Sequence, residues 1–357
     1  MRLERYTVLG DIHWPNSSDI SPGGAEPGRQ PQVGLTLALG LPCMSGCAGV
    51  QRKASLSRVG VPRRPWLRLG LDLRGASSLM DRYGTEHFAG APLLLIDFDS
   101  IDDWHGSFSA ALASHLPVDL SERLRQSQPR YVEDARDLLL KLADRERIID
   151  AVLAWLARGT VLAYHGTRLT LAEQGSVKTK GLLPLKAEAR RARLERALSS
   201  HPRWTEVSQR LDYELTKHGS GRARKREGQV HLTLSRAGLT QQFNHYLTHG
   251  AEIDQHVAKA LLGEEGGRLL ARDGLPTMVT VAVPGAIALE AAHPYFTIAM
   301  MRETNELPNI MKEFVSIWAF QQANPACQSS RLEVDCGMVF RAVVPAGWIK
   351  SIETLSD

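Results

Sequence analysis

From residue 160 to the C-terminus, short β-prone segments alternate with longer stretches of helical apolar spacing, and this order most limits the possible folds. The helical stretches are too unequal to give the regular β-α-β repeat of a parallel sheet. The pattern therefore predicts an α+β domain with a mixed or antiparallel sheet. The predicted strands are Thr160–His165, Gln229–Ser235, Thr277–Val283 and, as the last strand, Met338–Val344; the predicted helices are Leu169–Val177, 186–226, Thr240–Leu262 and Glu306–Gln322.

The region before residue 160 divides into two parts. Residues 1–90 contain many prolines and glycines and little periodicity, which predicts a poorly ordered or flexible region. Residues 91–159 are predicted to contain a strand, Pro92–Phe98, and helices that include Arg145–Ala157. We expect this part to pack on a domain formed by residues 160–357, in which 186–228 is a basic helical insertion.

Composition limits the class of protein. The apolar content of 43% and the charged content of 23% are ordinary for a globular domain. The four cysteines form no Cys-x-x-Cys pair, which favours free thiols in the cytoplasm. The longest apolar run, Val33–Val50, is interrupted by Pro42 and is too broken to span a bilayer. The sequence thus predicts a cytoplasmic protein without a membrane partner and leaves its oligomeric state open.

Acidic residues follow the predicted strand Pro92–Phe98. Asp97, Asp99, Asp102 and Asp103 come in quick succession, and such a cluster can bind a metal ion. Their spacing matches no calcium-binding loop, so a solvated turn is the favoured interpretation and no metal site is predicted.

One short motif carries the functional argument. Tyr164-His165-Gly166-Thr167 is predicted to end a strand and to lead into a helix that Thr170 can cap, after which comes Gly181-Leu182. This order, a strand with His-Gly-Thr followed by a helix and then Gly-Leu, resembles the first segment of ADP-ribosyltransferases. Three later segments resemble further strands of that family, namely Val230-His231-Leu232-Thr233, Thr277–Pro284 and Val343–Ile349. The resemblance therefore covers residues 161–350 in order.

The resemblance implies a fold with a split mixed or antiparallel sheet that binds NAD and breaks its nicotinamide–ribose bond. Positive charge builds on the ribose as nicotinamide leaves, so the site must fix both rings and supply a carboxylate. The imidazole of His165 can hydrogen-bond a ribose hydroxyl. The backbone of Gly166 can approach the nicotinamide amide because no Cβ blocks it, and Thr167 can add a hydroxyl. Phe243 or Tyr246 can stack on nicotinamide.

Two positions depart from the family pattern. His231 replaces the family tyrosine of the second strand and joins Tyr164 in the expected cofactor site. Gly337 lies where the catalytic glutamate is expected, and the nearest carboxylates are Glu333 and, as the alternative, Asp335. The same departures leave open a catalytically inactive fold that binds a nucleotide or a nucleic acid.

The stretch from Lys186 to Arg226 is strongly basic. Twelve basic residues against five acidic ones give a local charge of +7, although the whole chain carries only +4. Such an excess can bind the phosphate backbone of RNA or DNA. Two hypotheses follow: a nucleic acid as the ADP-ribose acceptor in place of a protein, and an NAD-dependent RNA 2′-phosphotransferase on the same fold. Solvated helices with internal ion pairs explain the charges equally well. The densest run for nucleic acid is Arg222, Arg224, Lys225 and Arg226.

Overall fold

The computed structural model describes residues 94–220, 227–242, 244–292, 300, 307–328, 334 and 336–356. The poorly ordered region expected for residues 1–90 lies outside the described residues. Several predicted site residues lie outside them as well, and their assignments stay predictions: Phe243, Glu333, Asp335, Arg222, Arg224, Lys225 and Arg226.

A six-stranded sheet organises the described part of the chain. The strand order is β5-β3-β2-β4-β6, with β1 beside the first residues of β2. β1 runs parallel to β2, and all other pairs in this sheet are antiparallel. The α+β prediction is therefore confirmed. The strands are β1 (Leu95–Ile96), β2 (Thr160–Leu169), β3 (Val230–Thr233), β4 (Leu275–Pro284), β5 (Gly337–Phe340) and β6 (Ile349–Thr354).

Helices surround this sheet and fill the long connections. Those before β2 are α1 (Ile101–Leu112), α2 (Leu120–Ser127), α3 (Val132–Leu142) and α4 (Arg145–Arg158). Between β2 and β3 lie α5 (Leu171–Lys180), α6 (Ala187–Leu198), α7 (Trp204–Val207) and α8 (Leu211–Ser220). The later helices are α9 (His245–His249), α10 (Glu252–Leu262), α11 (Glu264–Leu270), α12 (Gly285–Ala291) and α13 (Asn309–Ala323). None of the described helices is long and apolar enough to cross a membrane.

Strand β2 lies at the centre of the sheet because it pairs with β4 along its whole length. The register runs from Thr160 opposite Pro284 to Leu169 opposite Leu275. Successive side chains of a strand point to opposite faces. Val161 and Ala163 therefore join the large core on one face, whereas Tyr164 on the other face packs in a small cluster with Leu239, Leu247 and Met278.

Two larger cores share the helices. The first core lies between the sheet and helices α1 to α4 and α13, where Trp104, Phe108, Trp155 and Phe314 meet edge to face or tilted. The second core lies away from the sheet, among α6, α7, α8, α10 and α11. The basic insertion therefore packs against α10 and α11 through an apolar core of its own. The buried residues of that second core include Leu194, Leu198, Val207, Leu211, Ile253, Val257 and Leu261.

Helix α5 begins and ends as its sequence predicts. Thr170 accepts from the backbone N–H of Glu173, whose side chain accepts from the backbone N–H of Thr170, which is a capping box. The helix ends at Gly181, whose φ of +78° is a conformation that favours glycine. The next residue, Leu182, exchanges both backbone hydrogen bonds with Val344.

Two strand boundaries differ from the prediction. The strand predicted for Met338–Val344 is not the last one, since β5 ends at Phe340 and β6 follows at Ile349–Thr354. β6 lies at the edge of the sheet and pairs with β4 alone, so most of its side chains are exposed. Its sequence therefore lacks the apolar alternation that predicts a strand. The other difference concerns β2 and affects the candidate site.

Gly181→Ala should destabilise the fold strongly. A Cβ at this position would overlap the carbonyl oxygen of Val344, and the backbone conformation alone costs about 1–3 kcal/mol for a residue other than glycine. Gly175→Ala is the matched control, since Gly175 lies within α5 with nothing close to the added Cβ. We expect it to stabilise the fold by about 0.5–1 kcal/mol. Urea denaturation of both variants checks this, and equal midpoints would contradict it.

Candidate functional site

The Tyr164–Thr167 motif lies within β2. The strand continues to Leu169, because each residue up to there pairs with β4. The prediction that the motif ends a strand was therefore wrong. The apolar run after Thr160 stops at Tyr164, but ladder pairing extends the strand through polar residues. The motif consequently lies at the middle of the sheet, between β3 and β4.

Strands β2 and β3 separate at this motif. All four residues of β3 pair with β5, but the ladder between β3 and β2 consists of one pair, Thr233 opposite Tyr164. Beyond that pair, the three following residues of β2 continue beside β4 only. The sheet is thus open between two adjacent strands at His165, Gly166 and Thr167.

The imidazole of His165 bridges this opening. Its Nδ1–H donates to the backbone carbonyl of His231 over 2.8 Å, which fixes the tautomer and leaves Nε2 as an acceptor. Among the described residues, none hydrogen-bonds Nε2. Desolvation lowers the pKa of His165, and the hydrogen bond to His231 offsets part of that effect. The ring is therefore neutral near pH 7.

Thr233 places a polar group on the other face of the sheet, because it pairs with Tyr164 and therefore shares the face of Tyr164 and not that of His165. Its hydroxyl oxygen is buried and has no hydrogen-bond partner among the described residues. Buried hydroxyls are nearly always hydrogen-bonded, so Thr233 is an exception among the described residues. Sequence reasoning quoted Thr233 within the Val230–Thr233 motif but assigned it no role, since burial and partners cannot be read from a motif.

The other face of β2 is closed at Gly166. A Cβ on Gly166 would lie 3.2 Å from Leu239 and 3.3 Å from Leu247, so apolar side chains cover the glycine on this face. Tyr246 packs in the same cluster, and its hydroxyl donates to Glu252 over 2.7 Å. His165 alternates with Gly166 along the strand and points to the opposite face. The described residues therefore do not bring His165 and Tyr246 into one cleft.

Tyr164 anchors a polar network on this face. Its hydroxyl donates to Asp97 over 2.9 Å, and burial raises the pKa of this hydroxyl well above its usual value. Asp99 accepts from the hydroxyl of Ser235 and from the backbone N–H of Arg236, at 2.7 and 2.8 Å. The acidic turn thus fastens β1 to β2 and to the residues after β3. The described residues contain no group of three His, Cys, Asp or Glu side chains that could hold a metal ion.

The remaining predicted residues lie around the opening with different exposures. Thr167 is half-buried on the same face of β2 as His165, while the His231 side chain is exposed and lies 3.1 Å from the Gln229 amide oxygen. The described residues next to Asp335 are Val334 and Cys336, both buried. The Cys336 carbonyl accepts from the backbone N–H of Leu234, directly after β3.

The basic insertion is largely neutralised by ion pairs. Arg190 is buried against Asp254 of α10, and Arg193 lies within 3.9 Å of the same carboxylate and 3.6 Å of Asp273. Arg196 also pairs with Asp273, at 2.9 Å. In total, seven described cations of this segment pair with carboxylates: Arg190, Arg191, Arg193, Arg196, Arg203, Arg210 and Lys217.

Comparison with protein-family models, with curated proteins and with solved structures gives no match. Function must therefore be inferred from the residues and their geometry.

His165→Asn should reduce the pH dependence of stability. Because the folded pKa lies below the unfolded one, neutral His165 contributes stability above about pH 6.5 that is lost as the pH falls through the folded pKa. Asparagine can keep the donor to the His231 carbonyl and does not titrate. Urea denaturation at pH 7.5 and 5.5 should show a smaller loss of unfolding free energy in the variant. Equal losses would contradict the assigned protonation state.

Asp254→Ala should be far more destabilising than Asp212→Ala. The first leaves buried Arg190 without its carboxylate, which typically costs about 3–5 kcal/mol. The second removes an exposed pair with Arg191 and should cost at most about 1 kcal/mol. Circular dichroism during urea denaturation, which reports on the helices, measures both changes. Similar losses would mean that the buried pair is not formed in solution.

Proposed function

We propose that the chain is an NAD-dependent ADP-ribosyltransferase that joins ADP-ribose to an acceptor. The bond between ribose C1′ and the nicotinamide nitrogen breaks with its electron pair leaving on nicotinamide. An acceptor oxygen or nitrogen then bonds to C1′ and loses its proton. The acceptor is a protein or a nucleic acid.

The opening between β2 and β3 carries this proposal. Three segments resemble ADP-ribosyltransferase strands, and although they are distant in sequence they are the adjacent strands β3, β2 and β4. The opening lies at the His-Gly-Thr residues that the resemblance assigns to NAD. Backbone groups that this separation leaves unpaired need other partners, and the His165 imidazole supplies one for the His231 carbonyl.

One side chain at the opening suits the ribose. The Nε2 atom of neutral His165 can accept from a ribose hydroxyl, and its hydrogen bond to His231 fixes the ring before NAD binds. Glu333, with Asp335 as the alternative, is the proposed carboxylate that stabilises the ribose cation.

The ion pairs of the insertion bear on the acceptor. A nucleic acid that used the seven paired cations would have to displace their carboxylates. A nucleic-acid acceptor therefore depends on Arg222, Arg224, Lys225 and Arg226, which lie outside the described residues. No described contact favours the RNA 2′-phosphotransferase alternative.

His165→Asn should weaken NAD binding about two- to tenfold, the effect of one hydrogen bond, whereas Thr233→Val, on the opposite face of the sheet, should leave it unchanged. Thr233→Val should leave the free protein as stable as before, because the lost hydroxyl has no partner there. His256→Asn is the control, since His256 is exposed on α10. Calorimetry with NAD and chromatography of released nicotinamide measure binding and turnover.

Three results separate the hypotheses. Unchanged NAD affinity in His165→Asn would place the nucleotide elsewhere and contradict the proposed site. NAD binding without nicotinamide release, in water and with protein or RNA acceptors, would indicate the catalytically inactive fold. No binding of NAD at millimolar concentration would exclude the proposed function.

A further inference from the structure

A cleft of about 440 Å³ lies between α1, α2 and the end of α13. None of its lining residues belongs to the sheet, so it is separate from the opening between β2 and β3. Six of its seven lining side chains are polar, and two of them carry opposite charges. The lining residues are Asp102, His105, Ser121, Arg125, Gln321, Gln322 and Pro325.

A chain of hydrogen bonds fixes one wall of the cleft. The Ser121 hydroxyl donates to the Gln322 amide oxygen over 3.0 Å, and the Gln322 amide nitrogen donates to His105 Nε2 over 2.9 Å. The imidazole of His105 also stacks on Trp318, with 6.4 Å between ring centroids. Because Nε2 accepts, Nδ1 carries the proton and is a hydrogen-bond donor. Desolvation lowers the pKa of His105, which agrees with a neutral ring.

The same cleft contains polar atoms whose hydrogen-bonding capacity is unused within the described part of the chain. The amide oxygen of Gln321 is buried and has no partner there. The His105 Nδ1–H donates to no described group, and the Asp102 carboxylate accepts from none. Arg125 uses Nε and one terminal nitrogen for Ser121 and Glu122, which leaves its other terminal nitrogen.

The charges in the cleft limit the ligand. Asp102 and Arg125 both line it, but these two described residues do not form an ion pair with each other. The Asp102 carboxylate would repel a simple anion, and the Arg125 guanidinium would repel a simple cation. A small molecule that carries both charges can satisfy both groups through charge-assisted hydrogen bonds.

We propose that this cleft binds a small zwitterion of the α-amino acid class. Its ammonium group donates to the Asp102 carboxylate and to the buried amide oxygen of Gln321. Its carboxylate accepts from the Arg125 guanidinium and from His105 Nδ1–H. These four contacts use the four unused groups, so the ligand backbone is recognised by charge and by hydrogen bonding together.

The test begins with the full chain and the twenty common L-amino acids, each at 5 mM, in a thermal-shift assay. A ligand that binds only the folded state raises the midpoint of unfolding. Calorimetry then compares the best amino acid with its N-acetyl derivative, which lacks the ammonium charge, and with its carboxamide, which lacks the carboxylate. We expect each derivative to bind about tenfold or more weakly than the parent amino acid.

Matched variants locate the binding. Arg125→Gln and Asp102→Asn should each weaken the affinity about tenfold or more. The controls are Arg123→Gln and Asp103→Asn, exposed neighbours on the same two helices that do not line the cleft, and they should bind like the wild type. Lack of any thermal shift, equal binding of the derivatives, or unchanged affinity in Arg125→Gln and Asp102→Asn would each overturn the proposal.

Discussion

The ten-residue ladder between β2 and β4 is the interaction on which the rest of this structure depends. It keeps β2 straight from Thr160 to Leu169 and gives it one complete neighbour. β3 is therefore not needed to hold β2 in place and can diverge after a single pair. The side chains of β2 alternate between two faces. One face packs on the large core, and the other packs on the small cluster that contains Leu247. The position of His165 follows from both effects.

Local signals were sufficient for much of the fold. The apolar stripe of α4 gave that helix within one residue of its end, and Thr170 was identified as the cap of α5. β4 was predicted almost to its bounds, because it is buried along nearly its whole length and rich in β-branched residues. Such features depend on neighbours a few residues away. A chain with clear local periodicity therefore allows its fold class and most of its central elements to be predicted.

The site could be predicted less well, because its properties arise from distant residues. One side of the opening at His165 is β3, which is held by its full ladder with β5, more than a hundred residues later in the chain. The basic charge of the insertion was evident in the sequence, but the carboxylates that neutralise its buried arginines, Asp254 and Asp273, lie 61 to 80 residues further on. Side-chain partners of this kind leave no periodic signal in the sequence. Motif order located the strands along the chain, but it predicted neither their pairing nor their separation.

The presence of two large cores has a consequence for how unfolding is observed. Among the described tryptophans, Trp104, Trp155, Trp318 and Trp348 belong to the core beside the sheet, and Trp204 alone packs on the core of the insertion. The fluorescence of the described tryptophans therefore reports mainly on the core beside the sheet, whereas circular dichroism records the helices of both cores. If the insertion opens before the sheet does, the two spectroscopic transitions do not coincide, and a single two-state free energy does not describe the chain.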